Sequence, residues 1–185
     1  ERKVIGFPRY FIIEPASVCN KRCPFCPIDI VERYDESGQA VPPGLMRWSD
    51  FSKLMDECRG ERVYGISLYQ LGESMLWSGR AGCDRIDIGD MIRAASVAFP
   101  VVNLSTNGDV ANLHRVLDTG LSDLIISIDG LTEDVYLQNR PSAKSNDPGA
   151  FNRTIERVRN FLALKEQQRH DGPWVRIQII NNAST

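Results

Sequence analysis

The sequence predicts an α/β domain built round a parallel sheet, and three observations carry that reading. Short apolar runs alternate with segments of helical apolar spacing along almost the whole chain. A polar or glycine-bearing motif follows nearly every apolar run. No linker, internal repeat or low-complexity tract divides the alternation, so residues 1–185 read as one domain.

Each element follows in order. The first strand is predicted at 10–13, and the segment 14–46, with its prolines and glycines, is too long for a bare connection and reads as a functional loop. Ser49 suits the N-cap of a first helix whose Phe51, Leu54, Met55 and Cys58 share one face, which makes Cys58 a core residue. A second strand at 63–69 leads into Leu71-Gly72-Glu73-Ser74, and a second helix turns Ile88, Met91, Ile92 and Ala95 inward. The third strand, 101–104, runs into Ser105-Thr106-Asn107-Gly108. A short helix over Leu113, Val116 and Leu117 closes at Gly120. The fourth strand, 124–128, ends in Asp129-Gly130. A loop holding Pro141 and Pro148 precedes a longer helix on Phe151, Ile155, Val158, Phe161 and Leu162, and 175–180 is the fifth strand.

Composition excludes some partners. With 25% charged residues and a formal net charge of -2, lysines and arginines scattered among acids do not steer the protein onto nucleic acid or an anionic membrane. The N-terminus lacks the order of a signal peptide and no apolar run is long enough to span a bilayer, so a cytoplasmic location is expected. Five cysteines, three of them within eight residues, suit metal binding in a reducing compartment better than a disulfide framework. The start at Glu1 without a methionine, and the end soon after the fifth strand, lead us to expect a piece of a longer protein.

In a right-handed parallel arrangement, these motifs follow the C-terminal ends of successive strands and meet on one rim. Cys19, Cys23 and Cys26 come after strand one, Glu73 after strand two, Asn107 after strand three and Asp129 after strand four. Three thiolates in one loop suit a four-iron cluster with one iron left open for a ligand. Lys21 and Arg22 either favour the thiolate forms or are solvated surface, while Pro24 and Pro27 restrict the loop.

Cys19-Asn-Lys-Arg-Cys23-Pro-Phe-Cys26 resembles the Cys-x3-Cys-x-aromatic-Cys signature of the radical S-adenosylmethionine (SAM) superfamily. The resemblance implies a [4Fe-4S] cluster on the three cysteines, SAM chelated to the open iron, and reductive cleavage to a 5'-deoxyadenosyl radical that abstracts hydrogen. It implies the fold too: a partial parallel (β/α) barrel of the radical SAM type, C-terminally incomplete, with a sixth strand beyond Thr185. Weaker matches extend it along the chain. Gly72-Glu73 resembles the end of the Gly-Gly-Glu motif whose glutamate meets the SAM amino group, with Leu71 at the first glycine and Ser74 where proline is common. Ser105, Thr106 and Asn107 resemble the segment along the SAM ribose, and Ser127 with Asp129 the Ser-x-Asp strand end. Tyr136 and Arg140 resemble a Tyr-x3-Arg element whose arginine pairs with the SAM carboxylate, and Phe25 matches an aromatic near adenine.

Each match also has a plain structural reading. These are a turn at Asn107-Gly108 and at Asp129-Gly130, a cap at Glu73, surface charge at Arg140, and a structural zinc site for the cysteines. Cys83 reads as a free thiol, His114 and His170 as residues without a catalytic part, and Trp48, Trp77 and Trp174 as packing or interface groups.

Cys-Pro-Phe-Cys-Pro and the segment 44–46 resemble the subgroup with a C-terminal SPASM or twitch extension, which implies auxiliary iron-sulfur clusters beyond residue 185. The resemblance implies a peptide, protein or small sugar-type substrate that is oxidised, epimerised or cross-linked, and an electron donor such as flavodoxin or ferredoxin. The alternatives are an iron-sulfur electron-transfer module that cleaves no SAM, and a zinc-stabilised structural domain. A Rossmann methyltransferase is a weaker third, because cysteines replace the glycine-rich loop after strand one.

Overall fold

The computed structural model describes residues 6–35, 37–144, 147–169 and 171–180, so His170 lies outside the described residues. In chain order the elements are β1 (Tyr10–Ile12), α1 (Trp48–Cys58), β2 (Gly65–Ser67), β3 (Ser78–Ala81), β4 (Asp84–Asp87), α2 (Ile88–Ala98), β5 (Val101–Thr106), β6 (Asp123–Ser127), α3 (Glu133–Asn139), α4 (Ala150–Gln167) and β7 (Trp174–Gln178). Single 3-10 turns occupy Pro27–Asp29, Ser74–Leu76 and Leu113–Val116.

The main sheet has the order β1-β2-β5-β6-β7. Every neighbouring pair is parallel, so each new strand adds to the edge its predecessor left. Connections that all advance in one direction curve a sheet into a barrel wall and put the helices on one side of it. Side-chain alternation agrees. Ile66, Leu68, Val102, Leu104, Leu124 and Ile126 form one core with Phe51 and Met55 of α1, Ile92 and Ala95 of α2, and Val158 and Phe161 of α4.

The opposite face of the same strands is mixed, with Ile12, Ile125 and Trp174 set among polar side chains. Tyr10 Oη lies 2.9 Å from Ser67 Oγ and accepts from Asn103 Nδ2 at 2.8 Å, and Arg176 pairs with Asp123 across β6 and β7. A parallel sheet covered on both faces is apolar on both. This one has an apolar covered face and an open one that mixes polar and apolar side chains.

The five predicted sheet strands are all present with shifted ends. Four features differ from the expectation, the first being that the short helix expected over Leu113, Val116 and Leu117 is the 3-10 turn Leu113–Val116. Residues 78–87 fold as the antiparallel hairpin β3-β4, turned at Gly82 with φ +62; its strands, rich in charge and glycine, carry no apolar alternation by which they would be recognised. Residues 133–139, read as part of a loop, form the two-turn helix α3, whose Tyr136 is buried. Helix α1 begins at Trp48 with Arg47 at the cap position, so Ser49 sits in the first turn rather than capping it. Cys58 and Trp77 are core residues as expected, whereas Trp174 is 75% exposed on the edge strand. Among the described residues no helix is long and apolar enough to cross a membrane.

Candidate active site

The C-terminal ends of β2, β5 and β6 and the loop after β1 enclose a cavity of about 250 Å³ on the rim, and its wall includes all three clustered cysteines with Phe25, Gly72, Glu73, Ser105, Asn107, Ser127 and Arg140. Of the site residues read from sequence, only Asp129 stands off this wall.

The cysteine loop is held mainly by backbone and amide groups. The Lys21 N–H donates to Cys19 Sγ at 3.4 Å, Asn107 Nδ2 lies 3.9 Å from the same sulfur, and Cys26 N–H donates to the Cys23 carbonyl at 2.9 Å. Burial pushes the Cys19 thiol up, and burial also pushes Cys23 up to about 11 although Arg140 works against it. Burial thus favours the protonated form of both. Of the two readings of Lys21 and Arg22, solvated surface fits Arg22 but not the buried Lys21, whose backbone N–H, not its ammonium, meets the Cys19 sulfur. The Lys21 ammonium turns away to Asp109, and Arg22 is half-exposed beside Asp29.

Among the described residues no three His, Cys, Asp or Glu side chains already form a metal-ready cluster. The donor set nonetheless fits an iron-sulfur group. Three sulfurs from one loop line one cavity, while Cys58 is buried in the core and Cys83 is exposed on the hairpin turn.

Gly72 and Glu73 are stitched to that loop. A Cβ on Gly72 would lie 1.7 Å from the Ala16 carbonyl oxygen, so only glycine lets the two backbones approach. Glu14 Oε1 accepts from the Leu71 and Gly72 N–H groups at 3.0 and 3.1 Å, and Glu73 N–H donates to the Val18 carbonyl at 2.9 Å. The Glu73 carboxylate, 2% exposed, accepts from Thr106 Oγ1 at 2.8 Å and from the N–H groups of Asn107 at 2.7 Å and Met75 at 3.1 Å. The Met75 contact realises the capping reading, and the residue also lines the cavity. Burial raises the Glu73 carboxyl above its ordinary range, with the hydrogen bonds from Asn107 and Thr106 opposing the rise. Among the described residues it has no ion pair; Arg140 lines the same cavity and favours its charged form from a distance, but is itself paired with Asp129.

Asn107 Nδ2 donates to Asn20 Oδ1 at 2.6 Å and its Oδ1 accepts from Asp109 N–H at 2.9 Å, so the turn at Gly108 is also a strut for the cysteine loop. Arg140 is buried, against the surface reading, and its Nε donates to Asp129 Oδ2 at 2.7 Å. Asp129 Oδ1 accepts from Ile180 N–H at 2.7 Å, so this carboxylate holds Arg140 from behind. A Cβ on Gly130 would lie 2.5 Å from Tyr136 N, a close approach of two backbones rather than a simple turn. Several participants had no sequence signal: Ile28, Tyr69, Gln70 and, from β7, Gln178 line the wall, and Asp109 draws its partners from distant segments.

No family model matches the chain. A curated relative, the 7,8-dihydro-6-hydroxymethylpterin dimethyltransferase of Methanocaldococcus jannaschii, is 26% identical over 133 residues, which is 69% of this chain and 24% of that protein. Solved structures cover nearly all of the chain. Streptococcus suis SuiB has a TM-score of 0.65 at 15% identity over 97% of this chain and 35% of its own. A structure of anSMEcpe with bound AdoMet has a TM-score of 0.59 at 18% identity over 94% and 43%. BtrN in complex with AdoMet and 2-DOIA has a TM-score of 0.53 at 17% identity over 92% and 56%. The chain thus spans about a quarter of the curated relative's length and 35 to 56% of these structures. These neighbours are radical SAM enzymes, and the chain has their partial-barrel fold.

Proposed function

We propose that this chain is the core of a radical SAM enzyme. One observation carries the reading: a buried carboxylate with no ion pair, Glu73, shares its cavity with three cysteines on one loop. Cys19, Cys23 and Cys26 would hold a [4Fe-4S] cluster. With SAM bound beside it, such a cluster supplies electron-driven cleavage of a carbon-sulfur bond and hence a hydrogen-abstracting radical. The remaining residues bind and orient. Glu73 accepts from the SAM ammonium, a charge-assisted bond in a dry site. Arg140, fixed by Asp129, meets the SAM carboxylate. Ser105 and Ser127 offer hydroxyls to the ribose, Asn107 braces the cysteine loop, and Phe25 offers a half-exposed ring to the adenine.

The substrate in this proposal is a peptide, protein or sugar-type small molecule, undergoing oxidation, epimerisation or cross-linking. Polar groups on the open face of the sheet support it, since Ser67, Asn103 and Arg176 suit a hydrogen-bonding substrate. Solved neighbours include anSMEcpe with a Cp18Cys peptide and BtrN with 2-DOIA. A flavodoxin or ferredoxin supplies the electron, further clusters belong to a SPASM or twitch extension, and the setting is cytoplasmic. The likeness to a dimethyltransferase adds methyl transfer to the reactions worth assaying.

The test is release of 5'-deoxyadenosine from SAM by the anaerobically reconstituted, dithionite-reduced full-length protein, with Cys23→Ala alongside. Release that needs Cys23 is the expected result. Iron-replete protein that releases none is an electron carrier, and a colourless protein with one zinc is a structural site.

A further inference from the structure

Lys21 stands between two of the cysteines yet is only 1% exposed, a burial that lysine tolerates only with a partner. Its ammonium donates to Asp109 Oδ2 at 2.8 Å and lies 5.1 Å from the centroid of the Tyr136 ring. Asp109 is a junction. Arg153 and Arg157 of α4 also donate to its carboxylate, Arg153 at 3.0 Å to each oxygen, and its backbone carbonyl accepts from Asn20 Nδ2 at 2.9 Å. On the other side, Arg22 N–H donates to the Pro141 carbonyl and Ala143 N–H to the Asn20 carbonyl, each at 2.9 Å. The cysteine segment is thus tied to the turn after β5 and to the strip after α3, and through Asp109 to α4. None of these ties uses sulfur.

We propose that Lys21 is a positioning residue: its ion pair with Asp109 holds the segment from Cys19 to Cys23 on the rim, facing the cavity before any metal arrives. The identity of the cluster rests on the function proposed above, whereas the loop geometry does not. The physical reason is entropy. A long loop that must order on binding metal binds it weakly, and an ordered one has already met that cost. The shared carboxylate makes the idea separable from fold stability. Without Lys21, Asp109 keeps Arg153 and Arg157 and still anchors α4. Without Arg157, the carboxylate loses a cation but the cysteine loop keeps its tie.

The experiment compares Lys21→Met, Lys21→Arg and Arg157→Met in the full-length protein. It follows hydrogen exchange of residues 18–26 without metal, iron loss to a chelator after reconstitution, and the melting temperature. Lys21→Met is expected to speed loop exchange and iron loss about tenfold, the scale at which a supporting partner of a metal ligand acts. Lys21→Arg restores most of both, and Arg157→Met leaves both unchanged. Where Lys21→Met does not fold, Lys21→Gln takes its place with the same expected direction. Equal changes in the Lys21 and Arg157 variants, or none in either, overturn the proposal. If the wild-type protein assembles no cluster, the radical SAM reading fails while the exchange arm still decides the positioning role.

Discussion

Glu73 and Asp109 are carboxylates on the same rim, and both are buried. Asp109 is met by Lys21, Arg153 and Arg157, whereas Glu73 is met by a hydroxyl and two backbone N–H groups. Burial acts on both in the same direction. It prevails at Glu73, whose carboxyl is raised, and is outweighed at Asp109, where hydrogen bonds from Arg153 and Lys21 hold the carboxyl below its ordinary range. A carboxylate saturated with cations is architecture. One that is hydrogen-bonded, buried and short of a cation is a site for a cationic ligand.

The comparison breaks most decisively at Asp109. Asp109→Asn leaves Lys21 buried without its counter-charge, and we expect a loss of about 3–5 kcal/mol in urea unfolding. A loss below about 1 kcal/mol would show that the network is ornamental. Glu73→Gln sets an amide donor against the Asn107 or Met75 N–H, so it should cost about 1–3 kcal/mol without ligand and lower SAM affinity roughly 10- to 100-fold, the value of about 1.5–3 kcal/mol for a hydrogen bond to a charged group. Calorimetric titration of iron-loaded protein checks it, and unchanged affinity would reduce Glu73 to a cap. Gly72→Ala forces a Cβ into the Ala16 carbonyl. It should cost about 1–3 kcal/mol and shift the cysteine loop, visible as altered exchange in residues 14–20.

The smallest effect is in the pH dependence. Glu73 is raised when folded, so above its ordinary value of 4.5 the unfolded chain releases its proton first. The stability of the ligand-free protein should therefore fall as pH rises from there, until the folded carboxyl also ionises. Asp109 is depressed, so its contribution is present above 3.8 and lost as pH falls through the folded value. Urea midpoints measured across pH for wild type and Glu73→Gln separate the two. A descending limb that persists in Glu73→Gln would assign it to another group.

Much of the site was legible because its parts are short. Cys19, Cys23 and Cys26 lie on one loop, Gly72-Glu73 and Ser105-Thr106-Asn107 are contiguous, and strand alternation puts each at a strand's C-terminal end. The hairpin β3-β4 was not legible, since its strands make no apolar face. Neither was α3, at seven residues too short for a clear period. Arg140 was legible as an arginine but not as a buried one, because its burial depends on Asp129 and on the backbone of Ile180 folding over that carboxylate.

What the sequence by itself determined is the alternation that builds the parallel sheet and the spacing that brings three sulfurs into one loop, both properties of neighbouring residues. Tertiary structure alone decided which sheet face stayed open, and which carboxylate received cations. Lys21 and Asp109 are 88 residues apart, and Glu73 and Asn107 are 34 apart. No local pattern encodes such pairings; they exist only once packing has brought the strand ends to one rim, where low dielectric makes the presence or absence of a single cation count.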